Sequence, residues 1–195
     1  LNILEKDVLN VQSGKRKYLK IIDKVELVDG KRKISIKPNN SSLKVNFQLC
    51  YDNKIIGNQK NVVDFQVDKL NEVSSSRTFC LYEDIEKIKK FGLAKGGSLD
   101  NAIVVDNDKV LNEGGLRNEK EFVNHKILDL VGDFLLSGHR ILGKVECHQG
   151  GHELTNLFLR KVFKQNNAFE FVELKDFKIS EKFSPQELGK LALNA

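Results

Sequence analysis

The sequence predicts an α+β fold, a two-layer α/β sandwich in which helices pack on one face of a mostly antiparallel sheet. Three observations predict it: alternating strand patterns outnumber helical ones, tight turns join several of them into hairpins, and the strongest helical periodicity falls late in the chain. At 195 residues, 40% hydrophobic and 30% charged, the chain can bury one core of ordinary size or two small ones. It contains two prolines and no apolar run long enough to cross a membrane, so no span is expected.

Residues 1–16 are polar and irregular, and read as a linker from something upstream. "KVELVDGKRKISI" places two alternating runs around Asp29-Gly30, a hairpin whose turn suits glycine. "LKVNFQL" points Leu43, Val45, Phe47 and Leu49 inward against Lys44, Asn46 and Gln48, and "VVDFQV" reads as a further strand. In "SSSRTFCLYEDIEKIKKFGL" a serine-rich loop leads into a helix with Ile85, Ile88 and Phe91 at helical spacing, ended by glycines. "NAIVVDNDKVLN" reads as a hairpin through Asp106–Asp108, and "NEKEFVNHKILDLVGDFLL" as a long helix closed by Gly138. A strand "RILGKVECH", a helix in "GGHELTNLFLRKVF" and a last strand "FEFVEL" follow. Residues 17–175 thus form the domain and 176–195 a tail.

Charge is uneven. Residues 1–60 hold 13 Lys and Arg against 6 Asp and Glu, whereas acidic residues slightly outnumber basic ones in the rest. Such a surface can attract nucleic acid, an anionic membrane or a phosphorylated small molecule, but no nucleic-acid motif accompanies it, and solvated lysines on strand faces are the simpler reading. Cys50, Cys80 and Cys147 are odd in number and lack CxxC spacing, which disfavours a disulfide framework and a cysteine zinc site and fits a reducing cytoplasm. Gly96-Gly97 completes neither GxGxxG nor a P-loop.

"FVNHKILDLVGDF" is the most informative stretch. On a helix His125, Asp129 and Asp133 fall within roughly 80° of one another, opposite the apolar Ile127, Leu128, Leu130, Val131, Phe134 and Leu135. Neutral imidazole and carboxylate at i and i+4 suit zinc, and an exposed polar stripe is the plainer alternative. Gly132 on the flank would let a ligand or another backbone approach. His152 opens the next helix after two glycines, where it could be a simple surface residue. There the dipole disfavours a charged ring unless a carboxylate offsets it, and a facing Asp133 would make His152 a general-acid candidate. Thr78 could cap the following element or donate to an oxyanion.

The segments "SRTF", "GLAKGGSLDNAIVVD", "VLNEGGLRNEKEFVNHKILDLVGDF" and "GHELTN", in this order and spacing, closely resemble the zinc-dependent UDP-3-O-acyl-N-acetylglucosamine deacetylases of lipid A biosynthesis, from about Lys17 to Phe163. The resemblance implies a cytoplasmic enzyme of Gram-negative bacteria that removes acetate from the 2-amino group of its UDP-sugar substrate. It makes His125 and Asp129 zinc ligands, Lys126 a cation positioning substrate, Asp133 the partner of His152, His152 the acid and Thr78 the oxyanion donor. Phe79 matches a substrate-contacting position. Tyr82, Ile85, Ala94, Gly97, Ala102 and Val104 would line an apolar passage for the acyl chain, built by an insert over residues 93–111.

One departure matters. The family pairs two similar halves around its site, and its third zinc ligand is a histidine preceded by a catalytic glutamate in the first half. The four histidines here, His125, His139, His148 and His152, include none that follows a glutamate. With no methionine at position 1, the expectation is that the N-terminal half is absent and that this chain alone is an inactive part of the enzyme. Two other readings stay open: a basic, non-enzymatic RNA-binding domain, and a zinc amidase with another substrate.

Overall fold

Alternation becomes pairing first around Gly30, whose φ of 58° meets the turn's demand for a left-handed backbone. There β2 (Val25–Asp29) and β3 (Arg32–Lys37) form the expected antiparallel hairpin. The computed structural model describes residues 16–92 and 94–174. It divides into a compact unit, Leu19–Glu170, and a second made of Leu1–Tyr18 with Phe171–Ala195. The described part of the second unit, residues 16–18 and 171–174, continues β1 (Arg16–Ile21) and β10 (Phe169–Leu174). The linker expected over 1–16, apart from Arg16, and the tail expected over 176–195 lie outside the described residues.

In the larger unit β9 (Arg140–His148) is the hub of the main sheet. It pairs antiparallel with β3 and parallel with β4 (Leu43–Cys50), which in turn pairs antiparallel with β5 (Asn58–Asp64). A smaller sheet joins β6 (Thr78–Leu81) in parallel to β7 (Ala102–Asp106), which turns back antiparallel as β8 (Lys109–Val110). The α+β class therefore holds with most of these pairings antiparallel, and the sheets are mixed rather than purely antiparallel. Parallel neighbours need long crossovers, and the stretches between β4 and β9 and between β6 and β7 supply them. Between β1 and β10 the chain also forms four helices among the described residues: α1 (Asn71–Ser74), α2 (Ile85–Lys90), α3 (Glu121–Phe134) and α4 (His152–Lys164).

The core lies between the main sheet and α3 and α4. Ile34, Ile36, Val45, Phe47, Leu49 and Val145 face Phe122, Ile127, Leu130, Phe134, Leu154, Phe158 and Val162, all buried. On the outer face of the sheet, Lys24 and Lys33 pair with Glu26, and Lys37 and Lys144 with Glu146. Part of the basic excess of the first third, Lys24, Lys33 and Lys37, is thus a solvated face paired with acids.

Three boundaries differ from the expectation. The strand sought in "VVDFQV" is Asn58–Asp64, because the Asp64 carbonyl accepts the Asp68 N–H at 2.9 Å and its carboxylate the Gln66 N–H at 3.1 Å, which turns the chain away. The helix sought after "SSSRTF" is preceded by β6 and a 3-10 turn, Tyr82–Asp84, and Phe91 lies past its end, exposed. β1 escapes sequence patterning because Arg16, Lys17 and Lys20 dilute the alternation of Leu19 and Ile21. No described helix is long and apolar enough to cross a membrane.

Candidate active site

Helix α3 turns its apolar stripe to the sheet and leaves His125, Lys126, Asp129 and Asp133 on its other side. His125 Nε2 lies 3.3 Å from Asp129 Oδ1, with the two side chains only 13% and 16% exposed. Bonds of about 2 Å at tetrahedral angles separate two ligand atoms by roughly 3.3 Å, so this pair already has the spacing that zinc requires. Nδ1 of His125 is buried without a hydrogen-bond partner. A metal-ligating histidine normally donates its second ring N–H to a carboxylate, a backbone carbonyl or water, and this structure gives that nitrogen no such partner. Burial pushes the His125 imidazole below its ordinary pKa; Asp129 and the Ser76 backbone pull it up, and Lys126 and His152 push it down. A neutral ring is the form that binds a metal. Among the described residues no group of three His, Cys, Asp or Glu side chains could hold a metal ion, so a further ligand is needed to complete a zinc site.

Lys126 Nζ donates to Asp129 Oδ2 at 3.1 Å and stands 5.6 Å above the centre of the Phe79 ring. Asp129 therefore sits between an imidazole and an ammonium. His152 is the first residue of α4, and its Nδ1 lies 2.9 and 3.0 Å from the two Asp133 carboxylate oxygens. Its Nε2 is 3.9 Å from Asp129 Oδ2. The His152 side chain is 68% exposed, so a reacting group could reach it.

The turn before α4 explains how His152 gets there. A Cβ on Gly150 would lie 2.4 Å from Cys147 Sγ and 3.1 Å from the Phe47 ring, so only glycine passes this point. Burial also pushes the Cys147 thiol up to about 12, which removes it as a metal ligand. A Cβ on Gly132, by contrast, would meet open space.

Thr78 and Phe79 lie at the start of β6 rather than on a helix. Thr78 is exposed, and no helix begins there for it to cap. The Phe79 ring packs edge-on against Phe122 at 5.0 Å, Tyr51 at 5.8 Å and His125 at 6.2 Å. Its neighbour Cys80 points the other way, as strand geometry demands, into an apolar cavity of about 300 Å³. Tyr82, Ile85, Ala94, Gly97, Ala102 and Val104 all line that cavity, and Phe79 does not.

Several residues escaped sequence reasoning. Ile88, Lys89, Leu99 and Leu111 also line the cavity. Asn112, buried, staples its loop: the side chain donates to the Leu99 and Ala102 carbonyls at 2.6 and 2.7 Å and accepts the Val104 N–H at 2.9 Å. An asparagine directly after the apolar run "VL" was the available signal. Arg77 and Glu121 form an ion pair at 2.8 Å, with side chains 9% and 0% exposed.

Residues 1–164 match the UDP-3-O-acyl N-acetylglycosamine deacetylase family. The chain belongs to that family. Proteins named UDP-3-O-acyl-N-acetylglucosamine deacetylase resemble it closely: that of Syntrophotalea carbinolica is 38% identical over 172 residues and that of Hahella chejuensis 40% over 168. The Haemophilus ducreyi protein is 39% identical over 170 residues. These alignments cover 85–88% of this chain but 55% of each relative, so the chain spans about half the length of the curated relatives it matches. The match to the deacetylase family ends at Lys164, the last residue of α4, and takes in every site residue described above.

Proposed function

We propose that this chain is the C-terminal half of a zinc-dependent deacetylase that hydrolyses the acetamide of UDP-3-O-acyl-N-acetylglucosamine, the committed step of lipid A biosynthesis, in the cytoplasm of a Gram-negative bacterium. One observation carries the reading. Phe79 and Cys80, consecutive on β6, touch His125 on one side and line an acyl-sized apolar cavity on the other, so metal-type donors and a lipid-type cavity share one strand.

His125 and Asp129 would hold the zinc, together with a ligand from the half of the enzyme that this chain does not span. Zinc there supplies a water of lowered pKa and polarises a carbonyl. Water would add to the acetyl carbon while a base from the half that this chain does not span takes its proton, and the Thr78 hydroxyl donates to the oxygen on which charge develops. The carbon–nitrogen bond then breaks, and the amine takes its proton from His152. Asp133 holds Nδ1 of that ring, which leaves Nε2 as the acid. Lys126, fixed by Asp129 and the Phe79 face, offers a cation to the substrate. The cavity walls receive the acyl chain.

The same geometry supports a partner half. Leu128 and Leu135, expected on the apolar side of the helix, are exposed together with Leu136 just after α3 and Leu157 and Phe163 on α4, apolar surface that a partner half would cover. The test is acetate release from UDP-3-O-acyl-N-acetylglucosamine by the full-length enzyme. Release matched one-to-one by free amine and abolished by chelation and by His125→Ala is expected. Absence of turnover, or turnover that survives both treatments, would overturn the reading.

A further inference from the structure

The face of the main sheet turned away from α3 and α4 has no part in the proposed chemistry, yet it carries a cavity of its own. Strand alternation turns Lys33, Asn46, Gln48, Glu146 and His148 to that face, opposite the core residues Ile34, Val45, Phe47 and Val145. Register then sets them side by side. Lys33 pairs with His148, His148 with Gln48 and Gln48 with Lys60, a row across four strands, and Asn46 pairs with Glu146 in the next row. These six residues line a cavity of about 260 Å³. That volume is near the lower end of small-molecule sites, roughly 300–1,000 Å³, so it suits a metabolite rather than a chain segment.

The groups around it favour an anion. Lys24 and Lys33 share the one Glu26 carboxylate, at 2.8 and 3.1 Å, and Lys37 and Lys144 share Glu146, at 3.7 and 3.8 Å. Each acid thus serves two ammonium groups, and the face keeps a positive excess. Among the described residues the side chains of Asn46, Gln48 and Lys60 have no hydrogen-bond or ion-pair partner. His148 is tethered through Nε2 to Cys50 Sγ at 3.6 Å, which leaves Nδ1 for a ligand.

We propose that this cavity binds a small phosphate ester that also bears hydroxyl groups, a sugar phosphate in class. Lys33 and Lys60 hold the phosphate, for which ammonium groups serve as point charges. Asn46 and Gln48 offer carboxamides to the sugar, and Glu146, an acceptor only, takes a sugar hydroxyl that a bare anion lacks. The main sheet separates this cavity from His125 and His152, so the proposal stands or falls apart from the deacetylase reading.

The test is a titration of the 195-residue chain with glucose 6-phosphate, followed by backbone amide and histidine ring resonances, with inorganic phosphate and glucose as separate probes. Saturable one-to-one binding with a Kd of about 1 mM or tighter is expected, with shifts centred on Lys33, Gln48, Lys60 and His148. Inorganic phosphate should bind more weakly, and glucose not measurably. Lys60→Ala, at an exposed position, should weaken glucose 6-phosphate by about tenfold, the worth of one charge-assisted hydrogen bond. Lys33→Ala should do the same and serves if Lys60→Ala fails to fold. No binding, shifts centred on His125 or His152, or affinity unchanged in the folded variant would overturn the proposal. Inorganic phosphate or glucose bound as tightly as the ester would overturn the ligand class.

Discussion

Helix α3 bears two charged clusters, centred on Glu121 and Asp129 about two turns apart, and they are built on opposite principles. At its first residue, Glu121 is closed to water and each carboxylate oxygen accepts two hydrogen bonds. Around Asp129 the groups are less fully satisfied: a buried ring nitrogen lacks a partner, a carboxylate faces an imidazole at 3.3 Å, and an exposed histidine waits beside Asp133. The difference teaches how to separate scaffold from chemistry in one helix. A satisfied, sealed pair holds segments in place, whereas an under-satisfied, accessible cluster is poised for a ligand.

The contrast can be broken most forcefully at His152. In the full-length enzyme His152→Ala should lower kcat by about 10²–10⁴-fold, the range for a general acid, with the melting temperature nearly unchanged. A small kcat effect would move His152 from acid to surface residue. Glu121→Ala should do the reverse: stranding Arg77 removes about 3–5 kcal/mol of stability, measured by urea denaturation of the chain. If it did not, the sealed pair would not be a scaffold.

A smaller effect sharpens the contrast through pH. Burial holds the His125 pKa below its unfolded value of 6.5. Between those two values the unfolded chain binds more protons, so stability should be full above about pH 6.5 and fall as pH drops through the folded value. In His125→Gln this slope should flatten when melting temperature is followed against pH. Glu121, held below its ordinary value by the Arg77 guanidinium and two backbone N–H groups despite its burial, gives a second loss at still lower pH. The smallest effect is expected in the cavity. Gly97→Leu should raise KM for a long-acyl substrate by a few fold and leave a short-acyl substrate unaffected, since its Cβ already meets the Ala94 carbonyl at 3.2 Å.

How much of this could be read from the residues follows the same division. The polar stripe of α3 was readable because helical periodicity is local: His125, Asp129 and Asp133 recur every fourth residue whatever packs around them. The cavity residues came from family resemblance, since nothing in "AKGGSLDNAIVV" alone distinguishes a lipid wall from a turn entering a strand. Arg77 and Glu121, 44 positions apart, were invisible, because a buried ion pair looks like two surface charges until the fold brings them together. The parallel pairing within a mostly antiparallel sheet was not legible for the same reason: β4 and β9 meet across a hundred residues, a distance that hairpin logic does not reach. Phe79 was read as a substrate contact, and the structure places its ring against Phe122, Tyr51 and His125.

The most direct measurement of the central claim, that this chain supplies two ligands of a zinc site shared with another half, is a calorimetric zinc titration of the 195-residue chain with His125→Ala as control. Micromolar or weaker one-to-one binding is predicted, lost in the variant and tightened when the remaining half of the enzyme is added. Nanomolar binding by the chain alone, or binding indifferent to His125, would contradict it.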